Sequence, residues 1–400
     1  MKQDTDHSSR GTPGAEGPND YVIRVFDEPA AIDAGQWDTL ACAAASSTPF
    51  MQHAYLRALH ESASACAETG WSPRFLAVFD GAALIAACPL YLKDHSYGEY
   101  VFDWAWADAY ERHGLRYYPK LLSAVPFTPV PGPRLLARDP LGRRLLLRAM
   151  QQLAHDAKLS SIHMLFLDDD DQQAARAEGW MMRSTVQFHW TQREPLPYAD
   201  FADLLASLQR DKRKKIQQER RRVADAGVHL TELQGAQITD DDWDFFYRCY
   251  CQTYREHRST PYLTREFFAR MASDMPQNWL LFTARHGERR IAASLVCIDP
   301  LRRSAFGRYW GAIEHMPCLH FEACYYRPLA WCIANGYTRF EGGAQGEHKM
   351  ARGLLPVQTW SAHWLAHPQF ARAVADFLER EGAGVAGYID ELNERRPFKA

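Results

Sequence analysis

Apolar and polar residues alternate through residues 21–26, a period of two that predicts a strand with one buried face. Residues 33–45 and 50–60 instead repeat their apolar positions every three or four, the spacing of a helix with one buried stripe. Apolar runs at 75–79 and 84–92 flank Asp80-Gly81, a dipeptide that tolerates the positive φ of a tight hairpin turn. An aromatic-rich strand at 100–106, a helix at 141–157, a strand at 162–167, a short helix at 172–178 and a strand through 186–190 complete a first unit. Asp168 to Asp171 precede that short helix, where carboxylates cap free amides and suit the helix dipole. The order then returns: a strand at 228–232, helices at 241–256 and 264–273, strands at 279–285, 291–298 and 304–311, a helix at 321–334, a strand at 338–341, a helical turn at 347–351 and a last strand at 359–365.

Particular residues repeat with the pattern. Phe79-Asp80-Gly81 followed by Ile85-Ala86-Ala87 recurs without a gap as Arg285-His286-Gly287 followed by Ile291-Ala292-Ala293, and the same register sets Trp104 on Trp310. Gly179 precedes His189-Trp190 by the interval that separates Gly353 from His363-Trp364. A repeat this long exceeds a solenoid unit and fits two related domains. A strand, two helices, a three-stranded meander, a helix, a strand, a short helix and a final strand resemble the order of the GNAT acyltransferase fold. The expected class is α/β with mixed sheets, as two tandem GNAT-like domains. The first spans 21–195 and supplies an acceptor cleft, a basic linker helix spans 196–227, and the second spans 228–385 and holds the acyl-transfer site. Residues 1–20 and 386–400 are expected to be tails, the first disordered.

The 400 residues are 46% hydrophobic with a formal net charge of -3, which describes a globular chain and excludes one that coats nucleic acid with its whole surface. No apolar segment resembles an export signal or a bilayer span, so the cytoplasm is the default location. Charge is local instead. Residues 199–226 read as one long helix with Leu205, Leu208, Ile216 and Val223 on an apolar stripe. Its middle carries Arg210, Lys212, Arg213, Lys214, Lys215, Arg220, Arg221 and Arg222 against Asp211 and Glu219: a solvated linker face, or a surface for a polyanion. The nine cysteines form no CxxC pair, and His315, Cys318, His320 and Cys324 lack a familiar zinc spacing, so no metal is expected.

The densest candidate chemistry is the run from Phe340 to Gly353. Gly342, Gly343 and Gly346 free the backbone to bring amides close to a donor group or an oxyanion, with a helix N-terminus just beyond. His348, Lys349 and Arg352 add positive charge or proton transfer, and Gln345 a polar contact. Tyr309-Trp310 and His320-Phe321-Glu322 are expected to face this loop. Acyl transfer to an amine needs a base, for which Glu341, Glu322 and His348 are the candidates. In the first half, Asp103, Trp104, Trp106, Asp108, Tyr118, Lys120 and Arg134 combine aromatic faces with charge, as a binding cleft does.

The blocks HSYGEYVFDW (95–104), YYPKL (117–121), GRYWG (307–311), LHFE (319–322) and GAQGEHK (343–349) resemble the bacterial FemAB-like family of tandem GNAT-fold proteins across residues 21–365. The resemblance implies peptidoglycan biosynthesis or recognition, with an acyl or aminoacyl group passed to a small-molecule or peptide amine acceptor such as a cell-wall precursor. It implies acyl-CoA or aminoacyl-tRNA as the donor substrate, with no permanently bound cofactor. The basic helix suits tRNA, whereas Gly311-Ala312-Ile313-Glu314-His315 replaces the usual pyrophosphate loop of CoA-dependent enzymes. A binding module that recognises a peptidoglycan precursor or RNA without turnover is the alternative.

Overall fold

The computed structural model describes residues 21–344 and 346–399, so the expected tail at 1–20 and Gln345 lie outside the described residues. The first half supplies β1 (Tyr21–Phe26), β2 (Trp71–Pro73), β3 (Phe75–Asp80), β4 (Ala83–Cys88), β5 (Tyr91–Lys93), β6 (Lys120–Ser123), β7 (Leu136–Ala137), β8 (Ser161–Leu167) and β9 (Met181–Thr191). The second supplies β10 (Val228–Gln234), β11 (Trp279–His286), β12 (Arg289–Asp299), β13 (Ser304–Ala312), β14 (Arg339–Glu341) and β15 (Leu355–Leu365). One sheet runs β1-β3-β4-β7; the other runs β10-β11-β12-β13-β14-β9-β15-β8-β6-β5-β2 through both halves.

That long sheet is continuous because the halves exchange their last strands. β9 pairs antiparallel with β14 of the second half, β15 pairs antiparallel with β8 of the first, and β9 and β15 pair with each other. The repeated His-Trp anchors occupy equivalent places in this exchange: His189 and Trp190 lie opposite Glu341 and Phe340, while His363 and Trp364 lie opposite His163 and Ile162. The hairpin anchors also correspond. Both the β3-β4 and β11-β12 ladders slip at the residue pair entering the turn, Val78/Phe79 and Ala284/Arg285, and each turn holds a glycine at positive φ, Gly81 and Gly287.

The Trp104/Trp310 match does not hold. Trp310 lies inside β13, whereas Trp104 opens a helix, Trp104–Arg112. The aromatic spacing that suggests a strand instead serves that helix: Trp106 and Tyr110, one turn apart, are buried in a cluster with Leu365, Val374 and Leu378. Gly98 and Tyr100, both at positive φ, break the extended run before it. The linker is likewise two helices, Phe201–Ser207 and Arg210–Asp225. Between them Leu208 bridges to Phe398, and the Gln209 amide donates to Pro397 O at 2.8 Å. Residues 386–394 of the expected C-terminal tail belong to a helix, Pro368–Glu394.

One of the apolar clusters spans the halves. Trp37, Phe50, Tyr55, Phe75 and Trp71 pack in one cluster with Trp243, Phe246, Phe267 and Phe306, with Phe50 edge-on to Phe306 at 5.4 Å and Tyr55 edge-on to Phe267 at 5.4 Å. The helix Asp240–Glu256 lies so close to β13 that a Cβ on Gly311 would stand 1.9 Å from the carbonyl oxygen of Cys249. Relief requires moving backbone. Gly311→Ala is therefore expected to lower stability by about 3 kcal/mol in urea unfolding, and an unchanged midpoint would show that the helix is not seated there.

Candidate active site

β13 and β14 run parallel, paired from Ser304/Arg339 to Phe306/Glu341. Past that point β13 continues to Ala312 while the other chain turns away through Gly342 and Gly343, the latter at φ 85, a conformation open to glycine. The widening gap forms a cavity of about 490 Å³ whose walls include Gly307, Arg308, Tyr309, Trp310, His320, Gly343 and Ala344. Tyr250, Thr253 and Tyr254 close it from the Asp240–Glu256 helix, and Tyr100, Phe127 and Pro129 close it from the first half. Of the residues expected to face one another, Tyr309, Trp310 and His320 meet Gly343 and Ala344 of the glycine loop here.

Sequence reasoning missed several of these walls. Tyr100 (φ 64) and Phe127 (φ 57) are bulky residues in the left-handed region, at a cost of roughly 1–3 kcal/mol each. Tyr250 and Tyr254, four apart, carry a helical spacing that could have identified them. Arg308 reaches into the first half, donating to Phe127 O at 2.9 Å and Thr128 Oγ1 at 3.2 Å, and to the Tyr309 hydroxyl at 3.1 Å.

Lys349 supports the glycine loop from below. Its buried Nζ donates to Gly343 O at 2.9 Å, and among the described residues it has no carboxylate partner, so burial lowers its pKa to about 8 against an opposing effect of Cys324. His320 is pushed down to about 4 by burial, then by His348, Arg352 and Lys349, and is neutral at pH 7. His348 is exposed, beside the Tyr325 hydroxyl at 3.2 Å; partial burial and the cations Arg352 and Lys349 lower its pKa.

Glu341 closes the pairing rather than facing this cavity. It lines an adjoining one of about 680 Å³ with Phe306, one step back along β13 from Gly307. Arg339 donates to its Oε1 at 2.8 Å, while Oε2 has no hydrogen-bond partner and lies 3.8 Å from His189 Nε2. Burial lifts its pKa to about 7, with Arg339 and Arg308 opposing.

Other candidates are engaged elsewhere. Glu322 is buried between Arg220 at 3.1 Å and Arg327 at 3.4 Å, on a separate cavity against the basic helix. Arg352 is buried on Glu219 at 3.1 Å and stacks 3.7 Å over Phe321; Tyr326 also donates to Glu219. Both contacts dock the basic helix beside the His320 wall. Gly346, at φ 115, turns the chain into the helical turn Glu347–Arg352 and does not line the cavity. Gly342 is packed beneath: an added Cβ would lie 2.6 Å from Leu354.

The acceptor cleft expected in the first half is a buried polar network. Lys120 Nζ donates to Asp103 Oδ2 at 2.5 Å, Glu99 Oε2 at 2.8 Å and Ser96 Oγ at 2.7 Å. Tyr117 donates to Asp103, Tyr118 joins through Ser96 at 2.8 Å, and His163 Nδ1 meets His363 Nδ1 at 2.7 Å. Burial alone would raise Asp103, but Lys120 and His163 hold it below the usual carboxylate range, whereas burial lifts Glu99 to about 7. Trp106 is packed on His363 at 5.0 Å. Arg134, fully buried, spends its guanidinium on the carbonyls of Leu165, Gly132, Pro133 and Val130. Only Trp104 and Asp108 are exposed, on the helix Trp104–Arg112. In this half, the position equivalent to Glu341 is His163, and the space is filled.

Two halves of this order, with a cavity at a parallel-strand splay, define a tandem GNAT-like acyltransferase fold. The sequence matches the FemAB-like family model, described as peptidoglycan biosynthesis/recognition, over residues 28–400, and the chain belongs to that family. FemX is similar with a TM-score of 0.52 at 10% identity, over 86% of this chain and 98% of that one. L-PGS from Bacillus licheniformis gives 0.52 at 11% identity, over 88% and 98%. A conserved protein of unknown function from Bacteroides thetaiotaomicron gives 0.52 at 10% identity, over 86% and 100%. At such identities the likeness is one of fold. No curated protein matches the sequence. Among the described residues, no helix is long and apolar enough to cross a membrane.

Proposed function

We propose that the protein transfers an acyl or aminoacyl group to an amine, with the donor carbonyl held in the cavity at the β13/β14 splay and Glu341 as the base. The observation that carries this reading is the adjacency of two unlike cavities at one strand end. Gly307 to Trp310 line a wall with phenols, imidazole and guanidinium and, among the described lining residues, no carboxylate. One residue back, Glu341 presents a carboxylate whose pKa of about 7 suits accepting a proton at neutral pH. The ammonium gives one proton to Glu341, the freed amine attacks the acyl carbon, and the bond from carbon to the donor's oxygen or sulfur breaks as the amide forms, that oxygen or sulfur taking the second nitrogen proton. Lys349 is a positioning residue, since it holds the Gly343 carbonyl and so the shape of the loop.

Aminoacyl-tRNA is the donor this surface favours. Among the described residues Arg210, Arg213, Lys214, Lys215, Arg221 and Arg222 form no ion pair, whereas Lys212 pairs with Asp211 and Arg220 with Glu322. The free cations lie on the helix that Glu219 and Glu322 dock beside the cavity. Changing Arg213, Lys214, Lys215 and Arg221 to Gln spares that docking. The variant is expected to bind tRNA more weakly, with its log-log salt slope reduced by roughly 2 to 3. Unchanged affinity and slope, with normal turnover of an acyl-CoA, would reject tRNA in favour of a thioester.

A further inference from the structure

The cavity that Glu341 closes has an unusual charge balance. Its walls carry Asp168, Asp169, Asp170 and Glu341 against Arg302 and Arg339, and both arginines are already committed. Arg302 donates to the carbonyls of Cys42, Ala44 and Ala45 and pairs with Asp299, while Arg339 holds Glu341 Oε1. The carboxylates are less fully used. Asp168 caps the helix Asp169–Ala177 and accepts from Ser46, and Asp170 pairs with Arg143 at 2.8 Å. Asp169 receives only the Gln172 amide at 3.3 Å and, among the described residues, faces no cation.

Acidic residues at a helix start are explained by the helix alone, because they suit its dipole. Glu341 is not. It stands on a different half of the chain, is 3% exposed, and leaves Oε2 without a hydrogen-bond partner. An acceptor left unpaired in such a place costs about 1–3 kcal/mol unless a ligand donates to it. A donor carrying positive charge would satisfy it and the acidic rim together.

We propose that this crevice between the halves binds a ligand bearing a primary ammonium, whose nitrogen donates to Glu341 Oε2 while Asp169 and its neighbours hold the approach. Its part as the acyl acceptor rests on the transferase reading above; the binding does not. Acceptor and donor then enter by the two cavities, one lined by Glu341 and Phe306 and the other by Gly307 and Gly343, and meet at the end of the β13/β14 pairing.

The probe is 1,5-diaminopentane, with 1,5-pentanediol as its uncharged counterpart, titrated calorimetrically into the whole protein without donor at fixed ionic strength. The diamine is expected to bind and the diol not. Glu341→Gln should weaken the diamine about tenfold or more and the Asp169→Asn/Asp170→Asn pair about fivefold, as loss of charge-assisted contacts does. Glu379→Gln, at an exposed carboxylate that lines neither cavity, should change nothing. Equal binding of diamine and diol, or an Asp169/Asp170 variant that binds like the parent, overturns the proposal. Diamine binding without amide formation from any donor would sink the transferase reading and leave the site standing. Amide formation with binding indifferent to these carboxylates would do the reverse.

Discussion

Glu341→Gln is expected to remove most turnover and yet yield a protein more stable than the parent above pH 7. Loss of a general base lowers rate by about 10²- to 10⁴-fold, and the limb of kcat/KM that rises through about pH 7 should vanish with it. The stability gain follows from the direction of the shift. Burial raises the carboxyl from 4.5 to about 7, so the folded state keeps a proton that the unfolded chain has released. The resulting cost is absent below the unfolded pKa, grows between 4.5 and about 7, and is constant above, where it amounts to roughly 3 kcal/mol. Glutamine never ionises and escapes that cost. The lost pair with half-exposed Arg339 offsets only a fraction. Urea unfolding at pH 4 and pH 8 should show the gain only at the higher pH. A variant with parental turnover and an unchanged pH profile would place the base elsewhere.

The second large effect concerns a residue with no part in turnover by this account. Lys120 is 0% exposed and is the cation shared by Asp103 and Glu99. Lys120→Met leaves the Asp103 carboxylate buried without its partner, and breaking such a pair costs about 3–5 kcal/mol. Adding Asp103→Asn should recover part of the loss, because the uncompensated charge is then gone. If Lys120 instead contacted substrate, the single variant would unfold like the parent and show only a raised KM.

These two residues mark what the sequence could and could not show. The two hairpins and most helices were legible because period and turn chemistry are local, and Asp80-Gly81 recurs as His286-Gly287 at the same place in its ladder. The exchange of β9 and β15 was not legible, since no local pattern says which half a final strand will pair with. The aromatic run at Trp104 and Trp106 misled for a related reason: the same residues suit a strand by composition and a helix by the spacing of Trp106 and Tyr110. In the site, Tyr309, Trp310, His320 and Gly343 share a cavity because they flank one splay. Glu322 and Arg352 lie close in sequence to that wall but turn toward the basic helix, drawn by Arg220 and Glu219. The partners of a buried charge are long-range, and composition does not name them.

The central claim is that amide bonds are made at the Glu341 end of the splay. The most direct measurement offers the protein charged tRNA or acyl-CoA with an amine-bearing peptidoglycan precursor, and follows the acceptor by mass spectrometry. The account predicts an acceptor heavier by one acyl or aminoacyl residue, joined by a bond that survives mild alkali, and a product nearly absent with Glu341→Gln. No mass gain from either donor, or equal product from parent and variant, would contradict it.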